Sequence, residues 1–137
     1  PPGRVAAVSS QLAGTLTQIH VDRGEQVQAG QILAEVSGLP LMDTQLAMLK
    51  ADLDAKLLDA TLKRLKSSEA NNIVAARRIM ESESARDAAV NRRESARQTL
   101  LTMGLTAEEV DQVFKTGQTR TTLPIRAPID GMIVRFD

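Results

Sequence analysis

From Leu41 to Leu101 the chain contains neither glycine nor proline, and it is rich in Ala, Leu, Lys, Arg and Glu. Such a run has one low-energy answer, long α-helix, because it lacks the two residues that break helices and is full of those that form them. Large apolar residues recur at three- and four-residue spacing in its first part: Leu46, Leu49, Leu53, Leu57, then Leu58, Leu62 and Leu65. Its second part, from about Ile73 to Met103, has Ile79, Ala85, Ala88, Ala89, Val90, Ala96 and Leu100 instead. Between them Ser67-Ser68-Glu69-Ala70-Asn71-Asn72 gathers turn- and cap-forming residues, so the chain is expected to reverse there. The outcome is an antiparallel hairpin, a Leu-rich helix (about Leu41–Lys66) against an Ala-rich one, each roughly 40–45 Å long. Asp52/Lys56, Asp59/Lys63 and Arg77/Glu81 stand four apart as candidate ion pairs on solvated faces.

The flanks read differently. Val5–Val8, Thr15–Val21 and Ile32–Val36 are short β-type runs, with turns at Asp22-Arg23-Gly24 and Ala29-Gly30. After the hairpin, Gly104 is a helix stop, Thr106-Ala107-Glu108-Glu109 a capping box for a short third helix to about Lys115, and Gly117 its end. β texture returns at Leu123–Pro128, followed by a turn at Asp130-Gly131 and a run over Met132–Phe136.

The two β zones align on each other without gaps. Val8 falls on Ile125, Leu12 on Ile129, Gly14 on Gly131, Leu16 on Ile133 and Ile19 on Phe136. Two half-motifs around a helical insertion imply a small β-sandwich with pseudo-twofold symmetry, its halves parted in sequence and rejoined in space. Val36 and Leu123 must then end close together. Gly14 and Gly131 are expected at equivalent turns, where glycine permits positive φ or close backbone approach, and Gly24 and Gly30 are the other structural turns.

Gly14 to Leu33 resembles the first half of a lipoyl/biotinyl-type domain, and Ile125 to Ile133 the start of its second half. Split by a coiled-coil hairpin, this is similar to the membrane fusion proteins, the periplasmic adaptors of tripartite efflux pumps. Met103 to Val110 and Thr121 to Leu123 resemble the heavy-metal efflux subgroup that pairs with RND transporters. The resemblance implies an α+β fold, a split lipoyl/biotinyl-like β-sandwich with an inserted antiparallel helical hairpin. It divides the chain into a first half-domain (1–38), the hairpin with its third helix (39–122) and a truncated second half-domain (123–137). It also implies a periplasmic connector between an inner-membrane transporter and an outer-membrane channel, serving heavy-metal or drug export and self-associating in the assembly. The channel would meet the hairpin tip at Arg64, Lys66, Ser67, Ser68, Glu69, Asn71 and Asn72. In the family the second half continues for another turn and strand, so the sandwich is expected to be incomplete here or completed by a neighbouring chain. The opening Pro1-Pro2-Gly3-Arg4 suits an internal piece of a longer protein, with any signal peptide or anchor outside it.

Other chemistries find little support in the residues. A lipoyl or biotinyl carrier needs a lysine at the hairpin turn between its halves, whereas the first lysine is Lys50, inside the helix. An adaptor of an ABC-type or type I secretion exporter shares the fold and remains open. His20 is the one histidine and cysteine is absent, so neither a zinc site nor a nucleophile–base pair is expected, and no enzyme. The five methionines, Met42, Met48, Met80, Met103 and Met132, are scattered and read as packing residues. No metal and no cofactor is expected. Seventeen basic residues balance 17 acidic ones, and Arg77, Arg78, Arg86, Arg92, Arg93 and Arg97 are interleaved with Glu81, Glu83, Asp87 and Glu94, which excludes a nucleic-acid face.

Overall fold

The computed structural model describes residues 6–8, 14–67 and 72–134. Its elements run β1 (Thr15–Ile19), β2 (Gln26–Val27), β3 (Ile32–Ser37), α1 (Leu39–Ser67), α2 (Ile73–Met103), α3 (Ala107–Thr116), β4 (Leu123–Arg126) and β5 (Gly131–Met132). The helices start and stop where the local chemistry requires. Asn72 caps α2 by accepting a hydrogen bond from the Ala75 amide, and Gly104 ends it at φ 123°. Thr106 and Glu109 form a reciprocal capping box on α3, which Gly117 closes in the left-handed region. With 29 and 31 residues, α1 and α2 are about 43 and 46 Å long.

The hairpin packs large against small. Leu41, Gln45, Met48, Ala51, Ala55 and Leu62 of α1 are buried, facing Ala89 and Leu100 of α2. Two strands cannot bury a face alone, and the β part is correspondingly slight. One sheet has the order β1-β3-β4, the other pairs β2 with β5, and all pairings are antiparallel. Leu123 is the register partner of Val36, so the chain leaves the sheet for the hairpin and returns to it beside the point of departure. The main core lies at that junction, where Val36 and Leu123 meet Leu41, Met48 and Leu100 of the hairpin and Leu105, Val110 and Val113 of the third-helix segment. A second, smaller core of Val21, Val27 and Ala127 joins the two sheets. Phe114 packs on the main core, and with so few aromatics these clusters rely on aliphatic side chains.

Three details depart from the sequence reading. Ala6–Val8, read as a β run, form no strand among the described residues; propensity makes a strand only where a partner edge receives its backbone groups. The run over Thr15–Val21 is strand only at Thr15–Ile19, and all of β1 is exposed. β1 is an edge strand, with an irregularity in its pairing between Leu16 and Gln18. The run over Met132–Phe136 is strand only at Gly131–Met132, although Gly24 and Ile133 extend the pairing through backbone hydrogen bonds; Arg135–Asp137 lie outside the described residues.

The glycines do unequal jobs. Gly24 and Gly30 sit at φ 88° and 86° in the tight turns after Asp22 and Gln28, where a side chain would be strained. Gly14 has ordinary φ but lies so close to the backbone of Ser37 that a Cβ would collide with the Ser37 carbonyl. At Gly131 neither requirement holds: φ is not positive and a Cβ would meet open space. That turn is held from outside, by the Asp130 carboxylate accepting from the Ala29 amide at 2.6 Å. β1 follows Gly14 in the three-stranded sheet and β5 begins at Gly131 in the two-stranded one. The stretch that would test their equivalence includes residues 9–13, outside those described.

Candidate docking hairpin and its anchorage

The shaft of the hairpin is laced by ion pairs that cross between helices. Arg93 bonds Asp52 at 3.0 Å, Arg86 bonds Asp59 at 3.3 Å, Arg92 approaches Asp54 at 3.6 Å and Lys66 bonds Glu83 at 3.1 Å. Of the expected pairs within one helix only Lys56–Asp52 forms among the described residues, at 2.8 Å. Asp59 is instead taken by Arg86, whose guanidinium fork reaches across the seam while also holding Asp87. Asp52 is the most sheltered of these acids. Burial pushes its carboxyl up, but hydrogen bonds from Lys56 and Arg93 outweigh that and leave it below the ordinary carboxylate range.

At the tip, Arg64 and Lys66 occupy the last turn of α1, where cations complement the helix dipole, and Ser67 donates to the Arg64 carbonyl. Asn72 is committed to capping α2. Ser68, Glu69 and Asn71 lie outside the described residues. The described tip is thus polar and basic on the α1 side.

At the base the hairpin is bolted to the sheet by contacts the residue pattern did not single out. Gln45 is fully buried. Its Oε1 accepts from the Arg120 amide at 2.7 Å, and its Nε2 donates to the Arg120 and Leu41 carbonyls at 3.0 Å. One side chain therefore satisfies both backbone groups of Arg120 on the segment returning to the sheet. Glu109 of α3 holds the Arg120 guanidinium at 2.8 Å and lies 3.6 Å from that of Arg126 on β4. The signal for Gln45 was available, a polar residue at a seam position between Leu41 and Met48. The Glu109 contacts span α3 to β4 and leave no local trace.

Glu35, central in β3, makes a second tie. His20 Nε2 lies 2.9 Å from one carboxylate oxygen, and Thr122 donates to the other at 3.0 Å. Those hydrogen bonds, His20 first, hold the Glu35 carboxyl below its usual range against a smaller opposing effect of burial. The His20–Glu35 pair is two ligands at most, and no group of three or more His, Cys, Asp or Glu converges among the described residues. Met48 is buried in the main core and Met103 packs on it, while Met80 and Met132 are exposed and far apart in the chain. Lys50, mid-way along α1, is no carrier turn. No helix among the described residues is long and apolar enough to cross a membrane.

The CzcB-like, barrel-sandwich hybrid domain matches residues 4–136, nearly the whole chain. The chain belongs to that family. Among solved structures, ZneB from Cupriavidus metallidurans is similar at TM-score 0.67 and 23% identity, over 93% of this chain and 50% of that one. The membrane fusion protein Spr0693 from Streptococcus pneumoniae R6 is similar at TM-score 0.60 and 20% identity, over 96% and 52%. A MacA–MexA chimera containing the Pseudomonas aeruginosa MexA α-hairpin domain gives TM-score 0.54 and 22% identity, over 94% and 38%. At these identities the likeness is one of fold. The chain spans about half the length of ZneB and of Spr0693. No curated protein matches it. As a CzcB-like barrel-sandwich hybrid domain, the chain has the α+β architecture its sequence implies: small sheets with an inserted helical hairpin.

Proposed function

We propose that this chain is the hairpin-bearing part of a periplasmic adaptor that links an inner-membrane efflux transporter, of the RND type and serving heavy-metal export, to an outer-membrane channel. It acts by binding and not by catalysis. The observation that carries this reading is the Val36–Leu123 pairing at the root of a hairpin more than 40 Å long. A small sheet holding so long a projection at one rigid root is built to reach a distant partner. In this reading residues 1–38 and 123–137 form the sandwich, residues 39–122 form the projection, and the partner is met by the tip, from Arg64, Lys66 and Ser67 through Asn72. Family membership and the folds of ZneB and Spr0693 support it. A photo-crosslinking residue at Lys66, in the native cells, should trap an outer-membrane channel protein. Crosslinks to cytoplasmic proteins alone would sink the reading. An intact mass raised by a lipoyl or biotinyl group would favour the carrier alternative instead.

A further inference from the structure

The apolar cores of the molecule stop part-way along the hairpin. Among the described residues, nothing beyond Leu49 on α1 and nothing before Ala96 on α2 belongs to them or packs on them. The cross-hairpin pairs Asp52–Arg93 and Asp59–Arg86 set the register of the shaft, and by that register Leu49 and Ala96 stand at one level. The main core therefore ends in a plane across both helices. Outside that plane about 27 Å of α1 still projects.

Beyond the plane the packing is thin. Ala51, Ala55, Leu62 and Ala89 are the buried side chains there among the described residues, and an alanine buries only one methyl. Charge takes over where apolar contact gives out. The four ion pairs that cross between the helices among the described residues, Asp52–Arg93, Asp54–Arg92, Asp59–Arg86 and Lys66–Glu83, all lie in this outer part. They open to solvent outward: the side chains of Arg93 and Asp52 are 26 and 13% exposed, those of Lys66 and Glu83 56 and 39%. Exposed pairs contribute little each and are screened by salt, whereas burial of apolar surface is not screened. Root and outer shaft answer to different forces.

We propose that the hairpin is two cooperative units in series: a root fixed by the main core and Gln45, and an outer shaft, beyond Leu49 and Ala96, that unzips while the root stays intact and does so more often as salt rises. A segment with few buried apolar contacts opens locally at lower cost than the whole fold. The unit that opens is the one that carries the tip. A partner that binds the closed tip holds the shaft shut, and ionic strength tunes that binding. The inference rests on the hairpin alone and does not require the adaptor reading.

Native-state hydrogen exchange on the intact chain tests it, read amide by amide at about 20 mM and about 500 mM NaCl. The Leu58 and Ala85 amides report the outer shaft, those of Met48 and Leu100 the root. Outer amides should share one opening and lose protection at least about tenfold at the higher salt, while root amides change by less than about twofold. Asp59→Arg should speed outer exchange at low salt with the root unmoved. Adding Arg86→Asp, which restores the pair with its charges exchanged, should bring the protection back. Protection that falls smoothly toward the tip would mean end fraying, and a common opening of outer and root amides would mean one cooperative body. Exchange that ignores salt would mean that charge does not hold the shaft. Each of these three results overturns the proposal.

Discussion

Replacing Gln45 with methionine separates the polar bolt at the hairpin base from the packing around it. Methionine is close in volume and fills the same slot, so the apolar contacts stay. What goes is the acceptor for the Arg120 amide and the donor to its carbonyl. The lost bond to the Leu41 carbonyl matters less, since that oxygen also accepts within the helix. An orphaned backbone group costs about 1–3 kcal/mol when it is buried. The Arg120 bonds are only part-buried, so water can replace them in part, and the expected loss for Gln45→Met is about 2–3 kcal/mol. Gln45→Ala should lose about 1 kcal/mol more, for the cavity it adds. The chain lacks tryptophan, so urea unfolding is best followed by far-UV circular dichroism, alongside exchange of the Arg120 amide, which should lose protection before the α2 amides do. If Gln45→Met unfolds within 0.5 kcal/mol of the parent, the clamp contributes nothing net and the base is held by its apolar core alone.

Gly14→Ala should destabilise by about 1–3 kcal/mol, because its methyl would collide with the Ser37 backbone, whereas Gly131→Ala should fall within about 0.5 kcal/mol of the parent; paired melting curves check both. Leu100→Ala, in the core that joins hairpin to sheet, should cost about 2–5 kcal/mol, against about 0.5 kcal/mol or less for Leu53→Ala under monomeric conditions. Acidification should weaken the fold through Glu35 and Asp52. Both have folded values below their ordinary ones, so their stabilisation is complete above the unfolded values near about pH 4 and is lost as pH falls through the lower folded values. Thermal melts between pH 6 and pH 2 should therefore flatten in Glu35→Gln and Asp52→Asn, and an unchanged acid slope in both would refute the assignment.

The sequence by itself determined the helices. Ser and Asn at a reversal, Asn72 and Thr106 at caps, and Gly104 and Gly117 at stops act through bonds to neighbours one turn away, so the hairpin and the short third helix could be located from local chemistry alone. A long helical run between two β zones also implied that Val36 and Leu123 meet, because an insertion that returns to the same small sheet leaves and re-enters it at neighbouring strands. Tertiary structure decided what depends on partners distant in the chain. Asp59 could bond Lys63 within its own helix, yet Arg86 across the seam takes it, since packing the helices brings that fork closer to its carboxylate. Gly14 and Gly131 match in the alignment but differ in space: one lies against the Ser37 backbone and the other opens outward. Gln45 looks like any polar helix residue until the returning segment places the Arg120 amide and carbonyl beside it, and only a fold that brings residues 45 and 120 together makes that glutamine a bolt.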